Sequence, residues 1–191
     1  MIQNLRNTLS LQDHVLKNPS LPKSAVLVAV TAYSENPSLV LTRRAKHLSR
    51  NPGEVCFPGG KWEAHDVSLL ATALRETQEE IGLVPEQVEI LGSLKPLVAR
   101  TGLNVAPFVG LIDADLFLEP TSDELDCVFK VPLRFFMDQN NVTPYLYVYQ
   151  GAELSFPSFV YEGFTIWGLT AYIIVDMINT VYDAGIELPF K

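Results

Sequence analysis

The residues with the clearest chemical potential lie in the segment RETQEEIGL, positions 75–83. On a helix, Glu76, Glu79 and Glu80 fall within an arc of about 100°, with neighbouring Cβ atoms about 5–6 Å apart. Like charges at that spacing repel, and the C-terminal end of a helix disfavours anions through its dipole. A placement that is unfavourable twice over points to a compensating cation. Carboxylate oxygens suit a hard divalent ion, Mg²⁺ or Mn²⁺, which keeps coordination positions for water and phosphate. Arg75 stands four residues before Glu79 and can orient that carboxylate. Upstream, Gly59-Gly60 is expected to form a turn where backbone approaches a ligand closely, with the Gly60 carbonyl as a further metal ligand. On spacing alone, a solvated acidic face at a helix end remains the other reading.

Elements must position these groups. The spacing predicts a helix from Asp66 or Ser68 to Ile81, with Gly82 as its left-handed cap and Leu70, Leu74, Thr77 and Ile81 as its inward stripe. Before it, SAVLVAVTAY (24–33) is a continuous apolar run, the pattern of a buried central strand, and LVLTRR (39–44) is its hairpin partner. Residues 45–56 are read as loop. After it, strands are expected at 88–97, 105–112, 126–133, 144–150 and 164–169. A short helix over residues 2–17 and a C-terminal helix within 170–184 complete a single α/β domain, a sandwich with a mixed central sheet and an N-terminal helical extension over 1–22.

The chain has 191 residues, 14 basic and 22 acidic, for a net charge of −8. That balance disfavours nucleic acid as a general partner, since such binding draws on Lys and Arg. The first twenty residues lack a continuous apolar stretch, and Phe164–Val175 is shorter than the roughly 20 residues needed to span a bilayer. The expectation is a cytoplasmic protein with no membrane partner. Cys56 and Cys127 lie far apart and are read as buried free thiols. His47 and His65 lack a partner at metal spacing and are read as loop residues; Trp167 is read as core.

Taken together, these segments resemble the Nudix box, G-x5-E-x7-R-E-U-x-E-E-x-G-U, where U is aliphatic. Residues 75–83 supply R-E-x-x-E-E-x-G-U, with Thr77 in the aliphatic slot. Counting from Gly60, the first glutamate position holds Asp66, and Arg75 comes one residue later than in the general pattern. That spacing resembles the coenzyme A pyrophosphatase branch. The lead-in VLTRRAKHLSRNPGEVCFPGG (40–60) keeps Thr42, Arg44, Ala45, Leu48, Gly53, Val55 and the Phe57-Pro58-Gly59-Gly60 run of that branch. TGLNVAPFVGLI, SDELDCVFKVPL and WGLTAYII resemble its later blocks. Departures are Ser49 and Asn51, where the branch has Arg and His.

The resemblance implies a Nudix α/β/α sandwich and a Mg²⁺- or Mn²⁺-dependent enzyme. It implies cleavage of the diphosphate of coenzyme A, or a derivative, to adenosine 3′,5′-bisphosphate and 4′-phosphopantetheine. Glu76, Glu79 and Glu80, with the Gly60 carbonyl, are then the metal ligands. Arg75 orients Glu79, and Glu79 or Glu124 is the general base. Arg44 binds substrate phosphate or makes a surface ion pair, and the aromatic stretches 144–150 and 156–164 line a channel for the pantetheine arm or serve as core and sheet. Ser49 and Asn51 motivate a rival within the family, a pyrophosphatase acting on ADP-ribose or a dinucleotide. A non-catalytic binding module of the same fold is the reading that all three box glutamates speak against. A homodimer is left open.

Overall fold

The computed structural model describes residues 1–12, 16, 18–33, 35–149 and 151–188. Its centre is strand β1, Lys23–Thr31. This strand reads as a continuous apolar run because both of its faces are covered. Ala25, Leu27 and Ala29 pack into one core, Val28 and Val30 into another on the opposite side. In order, the remaining strands are β2 (Ser38–Arg44), β3 (Val55–Cys56), β4 (Gly59–Lys61), β5 (Glu89–Ser93), β6 (Leu97–Val98), β7 (Asn104–Ile112), β8 (Leu125–Pro132), β9 (Thr143–Tyr149), β10 (Ala152–Tyr161) and β11 (Phe164–Ile166). The helices are α1 (Ile2–Thr8), α2 (Leu69–Ile81), α3 (Leu133–Met137) and α4 (Gly168–Tyr182).

The main sheet runs β3-β2-β1-β7-β5, with β4 also paired to β1, β6 to β7 and β8 to β2. β1 and β7 are parallel and the other pairs antiparallel, so the sheet is mixed. Helix α2 covers one face through Ala73 and Ile81. Leu5 of α1 and Ile174 and Ile178 of α4 fill the other. The result is the expected α/β sandwich, with β9, β10 and β11 forming a separate antiparallel sheet.

Several expectations change. The N-terminal helix ends at Thr8 rather than reaching residue 17, because the chain beyond it runs along the edge of β5: Ser93 donates its N–H to the Ser10 carbonyl at 3.1 Å. Val15 of the expected helix and Gln150 of the expected 144–150 strand lie outside the described residues. The 88–97 strand breaks after Ser93, where the Leu94 N–H turns to the Pro107 carbonyl and Pro96 offers no donor. The final strand stops at Ile166, and Trp167 caps α4. Residues 55–56 and 59–61, read as loop and turn, are strands: Gly59-Gly60 pairs with Val26 and Ala25 of β1. The 156–164 stretch, open between channel lining and sheet, lies largely in strand β10, which begins earlier, at Ala152. Among the described residues, no helix is long and apolar enough to cross a membrane.

Candidate active site

Helix α2 begins and ends where its local chemistry dictates. The Ser68 hydroxyl accepts the Ala71 N–H at 3.0 Å, and Gly82 adopts φ 71°, donating its N–H to the Gln78 carbonyl. The buried stripe is Ala73, Thr77 and Ile81; Leu70 and Leu74 are only half-buried. Small residues face the sheet, which brings the helix close to β1 and β4. Thr77 fills the aliphatic slot without cost because its hydroxyl donates to the Ala73 carbonyl at 2.6 Å.

That close approach presses the helix acids against the glycine strand. A Cβ on Gly60 would displace the Glu76 carboxyl, and one on Gly59, where φ is 148°, would strike the Ala25 and Val26 backbone, so Gly59 admits only glycine. One turn later the buried Glu80 carboxylate accepts the Gly59 N–H at 3.0 Å. Burial raises Glu76 above the usual carboxylate range, with Arg75 opposing and Glu79 adding to the shift. Burial pushes Glu80 up to about 7; the Gly59 N–H and Arg44 oppose this, while Glu76 and Glu124 reinforce it. Glu79 diverges from this pair. Its side chain is 60% exposed and accepts Arg75 Nη1 at 3.0 Å.

Arg75 is the hub of the other half of the site. Nε and Nη2 reach the two carboxylate oxygens of Asp66 at 2.9 and 3.1 Å, and Nη2 also meets Glu76 and the Lys61 carbonyl at 3.1 Å. Asp66, its side chain 3% exposed, takes further hydrogen bonds from the Glu63 N–H and the Thr72 hydroxyl, both at 2.9 Å. The Arg75 guanidinium holds Asp66 well below the usual carboxylate range and is itself raised by it. The shorter acid therefore makes a direct bidentate contact, compatible with the later position of Arg75.

Arg44 and Glu124 meet at the far rim. Arg44 ends β2 and lies 4.0 Å from the exposed Glu124 carboxylate, while the Glu124 carbonyl accepts the Ala45 N–H at 2.8 Å. Both side chains influence Glu80 electrostatically, so the structure brings Glu76, Glu80, Arg44, Glu124 and Gly59-Gly60 into one neighbourhood. Among the described residues, no three His, Cys, Asp or Glu side chains converge tightly enough to enclose an ion. The donor set nevertheless suits a hard cation. Two desolvated carboxylates, with Glu76 further disfavouring charge on Glu80, sit against the glycine strand.

The remaining singled-out residues fall elsewhere. His47 is exposed on the 45–54 loop, and His65 is exposed, 3.5 Å from Glu63. Trp167 is half-buried rather than core, its ring 4.9 Å from that of Tyr145. Cys56 and Cys127 are free and partly buried, and desolvation pushes the Cys56 thiol up to about 11. Ser49 and Asn51 are exposed, and Asn51 holds φ 50°, a left-handed position that asparagine tolerates well. Two partners escaped the sequence reading: the Gly59 N–H on Glu80, and Thr121, whose N–H donates to the Glu80 carbonyl.

The helix crosses a mixed sheet with its acids against a glycine strand, and comparison with known proteins identifies the family. The NUDIX domain family model matches residues 22–131. The uncharacterized Nudix hydrolase NudL of Enterobacter sp. (strain 638) is 38% identical over 155 residues, covering 81% of this chain and 80% of that protein. Among solved structures, a MutT/nudix family protein from Enterococcus faecalis superposes with a TM-score of 0.58 at 19% identity, covering 90% of this chain and 66% of that one. A C. elegans Ap4A hydrolase in a binary complex gives 0.50 at 20% identity, covering 60% and 82%. The chain belongs to the Nudix family and is a pyrophosphohydrolase, of the class that uses divalent ions and acts on small nucleoside diphosphate compounds.

Proposed function

We propose that this enzyme hydrolyses the diphosphate of coenzyme A or its derivatives, releasing adenosine 3′,5′-bisphosphate and 4′-phosphopantetheine. The observation that carries the reading is the 40–60 lead-in, VLTRRAKHLSRNPGEVCFPGG, joined to the box. It delivers Arg44 to the rim of the Glu76 and Glu80 cluster. An open cleft of about 440 Å³, lined by Arg43, Lys46, Glu54, Phe164 and Trp167, supports a place beside that lead-in for the non-nucleotide arm.

Glu76, Glu79 and Glu80, with the Gly60 carbonyl, would hold Mg²⁺ or Mn²⁺; bound there, such an ion supplies charge neutralisation of the diphosphate and a more acidic water. Arg44 offers a guanidinium to substrate phosphate. Arg75 holds Glu79 and Glu76 in place from the buried Asp66 anchor. Glu79 accepts a hydrogen bond from Arg75 at 3.0 Å, whereas the equally exposed Glu124 stands 4.0 Å from Arg44, so Glu124 is assigned as the proton acceptor. The water oxygen bonds to one phosphorus, its proton passes to Glu124, and the bridging P–O bond breaks with its electrons on the departing phosphate.

Product analysis after incubation with coenzyme A and Mg²⁺ tests this directly. Recovery of the bisphosphate is expected, with kcat/KM for coenzyme A at least about tenfold above that for ADP-ribose or NADH. A reversed preference selects the second reading, a pyrophosphatase of ADP-ribose or dinucleotides, which Ser49 and Asn51 favour.

A further inference from the structure

The segment joining β7 to β8, residues 113–124, carries the proposed proton acceptor at its end. Its middle is held by Leu116 and Leu118, which pack against the core beneath α2, and by Lys130, whose Nζ donates to the Ala114 carbonyl at 2.8 Å and the Leu116 carbonyl at 3.4 Å, while Phe117 is 82% exposed. The final stretch is held differently. Thr121 donates its N–H to the Glu80 carbonyl at 3.0 Å, and its hydroxyl donates to the Glu79 carbonyl. Three residues later, the Glu124 carbonyl accepts the Ala45 N–H, and the Glu124 carboxylate faces Arg44.

The last carbonyls of a helix have no partner within it. Here the Gln78 carbonyl is met by Gly82, and those of Glu79 and Glu80 are met by one threonine from another loop. These two carbonyls belong to the box glutamates themselves. A span of three residues reaches at most about 11 Å, so fastening Thr121 at one end bounds where Glu124 can go at the other.

We infer that Thr121 is a positioning residue: by bridging the Glu79 and Glu80 carbonyls it fixes Glu124 relative to the box carboxylates. The inference rests on the assignment of Glu124 as proton acceptor. Thr121→Val keeps the N–H bond and removes only the hydroxyl. It is expected to lower kcat about tenfold with KM within about twofold, since misplacing a catalytic group costs rate rather than binding. Thr121→Ser recovers the rate. In a Glu124→Gln background, Thr121→Val lowers kcat no further. In metal-free protein, amide exchange at Ala45 and across 122–125 is faster in Thr121→Val than in wild type or Thr121→Ser.

An additive rate loss in the Glu124→Gln background overturns the inference, as does unchanged exchange across 122–125. A Glu124→Gln variant with wild-type kcat removes the assignment beneath it, and the inference with it. A slow Glu124→Gln beside a fully active Thr121→Val overturns the threonine's role alone.

Discussion

Asp66 and Glu80 are both buried carboxylates bordering helix α2, and their surroundings drive them in opposite directions. Asp66 receives two guanidinium nitrogens, a backbone N–H and a hydroxyl, and is held below the usual carboxylate range. Glu80 receives one backbone N–H, faces Glu76 and Glu124, and is pushed up to about 7. A buried charge is tolerated when hydrogen bonds and an opposite charge replace its water. Asp66 has that replacement within the chain. Glu80 has only part of it, the Gly59 N–H and the nearby Arg44; in the proposed function a metal ion would supply the rest. One acid anchors Arg75, and the other is assigned by that proposal to a metal.

The largest expected effect separates these roles. Glu80→Gln is expected to lower kcat on the order of 10³-fold. Because it neutralises a carboxylate that burial disfavours, the metal-free protein melts at an equal or higher temperature. Steady-state rates and thermal melts on one preparation check both halves; a large loss of stability would erase the contrast. Asp66→Asn should do the reverse first. Leaving Arg75 without its main partner costs about 3 kcal/mol, read from denaturant unfolding without metal.

The contrast also has a pH signature. For Glu80 the folded value of about 7 exceeds the ordinary 4.5, so between them the native state binds more protons than the unfolded chain. Its contribution to metal-free stability therefore falls as pH rises from 4.5 through 7. Asp66 acts oppositely: its contribution is complete above its ordinary 3.8 and is lost as pH falls below it. Melts at pH 5 and 7.5 in chelator should show the Glu80 slope, and Glu80→Gln should flatten it. Saturating Mg²⁺ should remove it too, since a bound cation keeps the carboxylate ionised. The smallest effect belongs to the helix terminus. Gly82→Ala, forced to φ 71°, should cost about 1 kcal/mol in the same unfolding assay.

Helix α2 was legible because its signals are local: a serine cap, a glycine just past the end and acids in between. Its buried stripe was less so. Leucines suggested Leu70 and Leu74, but close packing on β1 and β4 selects the small Ala73 and Thr77. Strands β3 and β4 are two and three residues long, and the second contains two glycines, so neither carries a periodic pattern. Pairing with β2 and β1 makes them strands. In the N-terminal segment, leucine spacing resembled a helix as far as residue 17, yet the edge of β5 claimed the backbone at Ser10. At the site, Arg75 and its acids stood out by charge. Thr121 carried no such mark, because its importance lies in two carbonyls that no side-chain pattern reveals.

The parallel pairing of β1 with β7 has a consequence for biogenesis. Lys23 meets Asn104 and Thr31 meets Ile112, so β2, β3, β4, α2, β5 and β6 all lie within the intervening crossover. During synthesis the greasy first strand leaves the ribosome with one whole side of its ladder unmet until the partner emerges. Closing so long a segment makes assembly slow and leaves the nascent polypeptide sticky meanwhile. Its catalytic machinery thus matures only after that late stitch, and a ribosome stalled before residue 104 would carry an inert, aggregation-prone fragment.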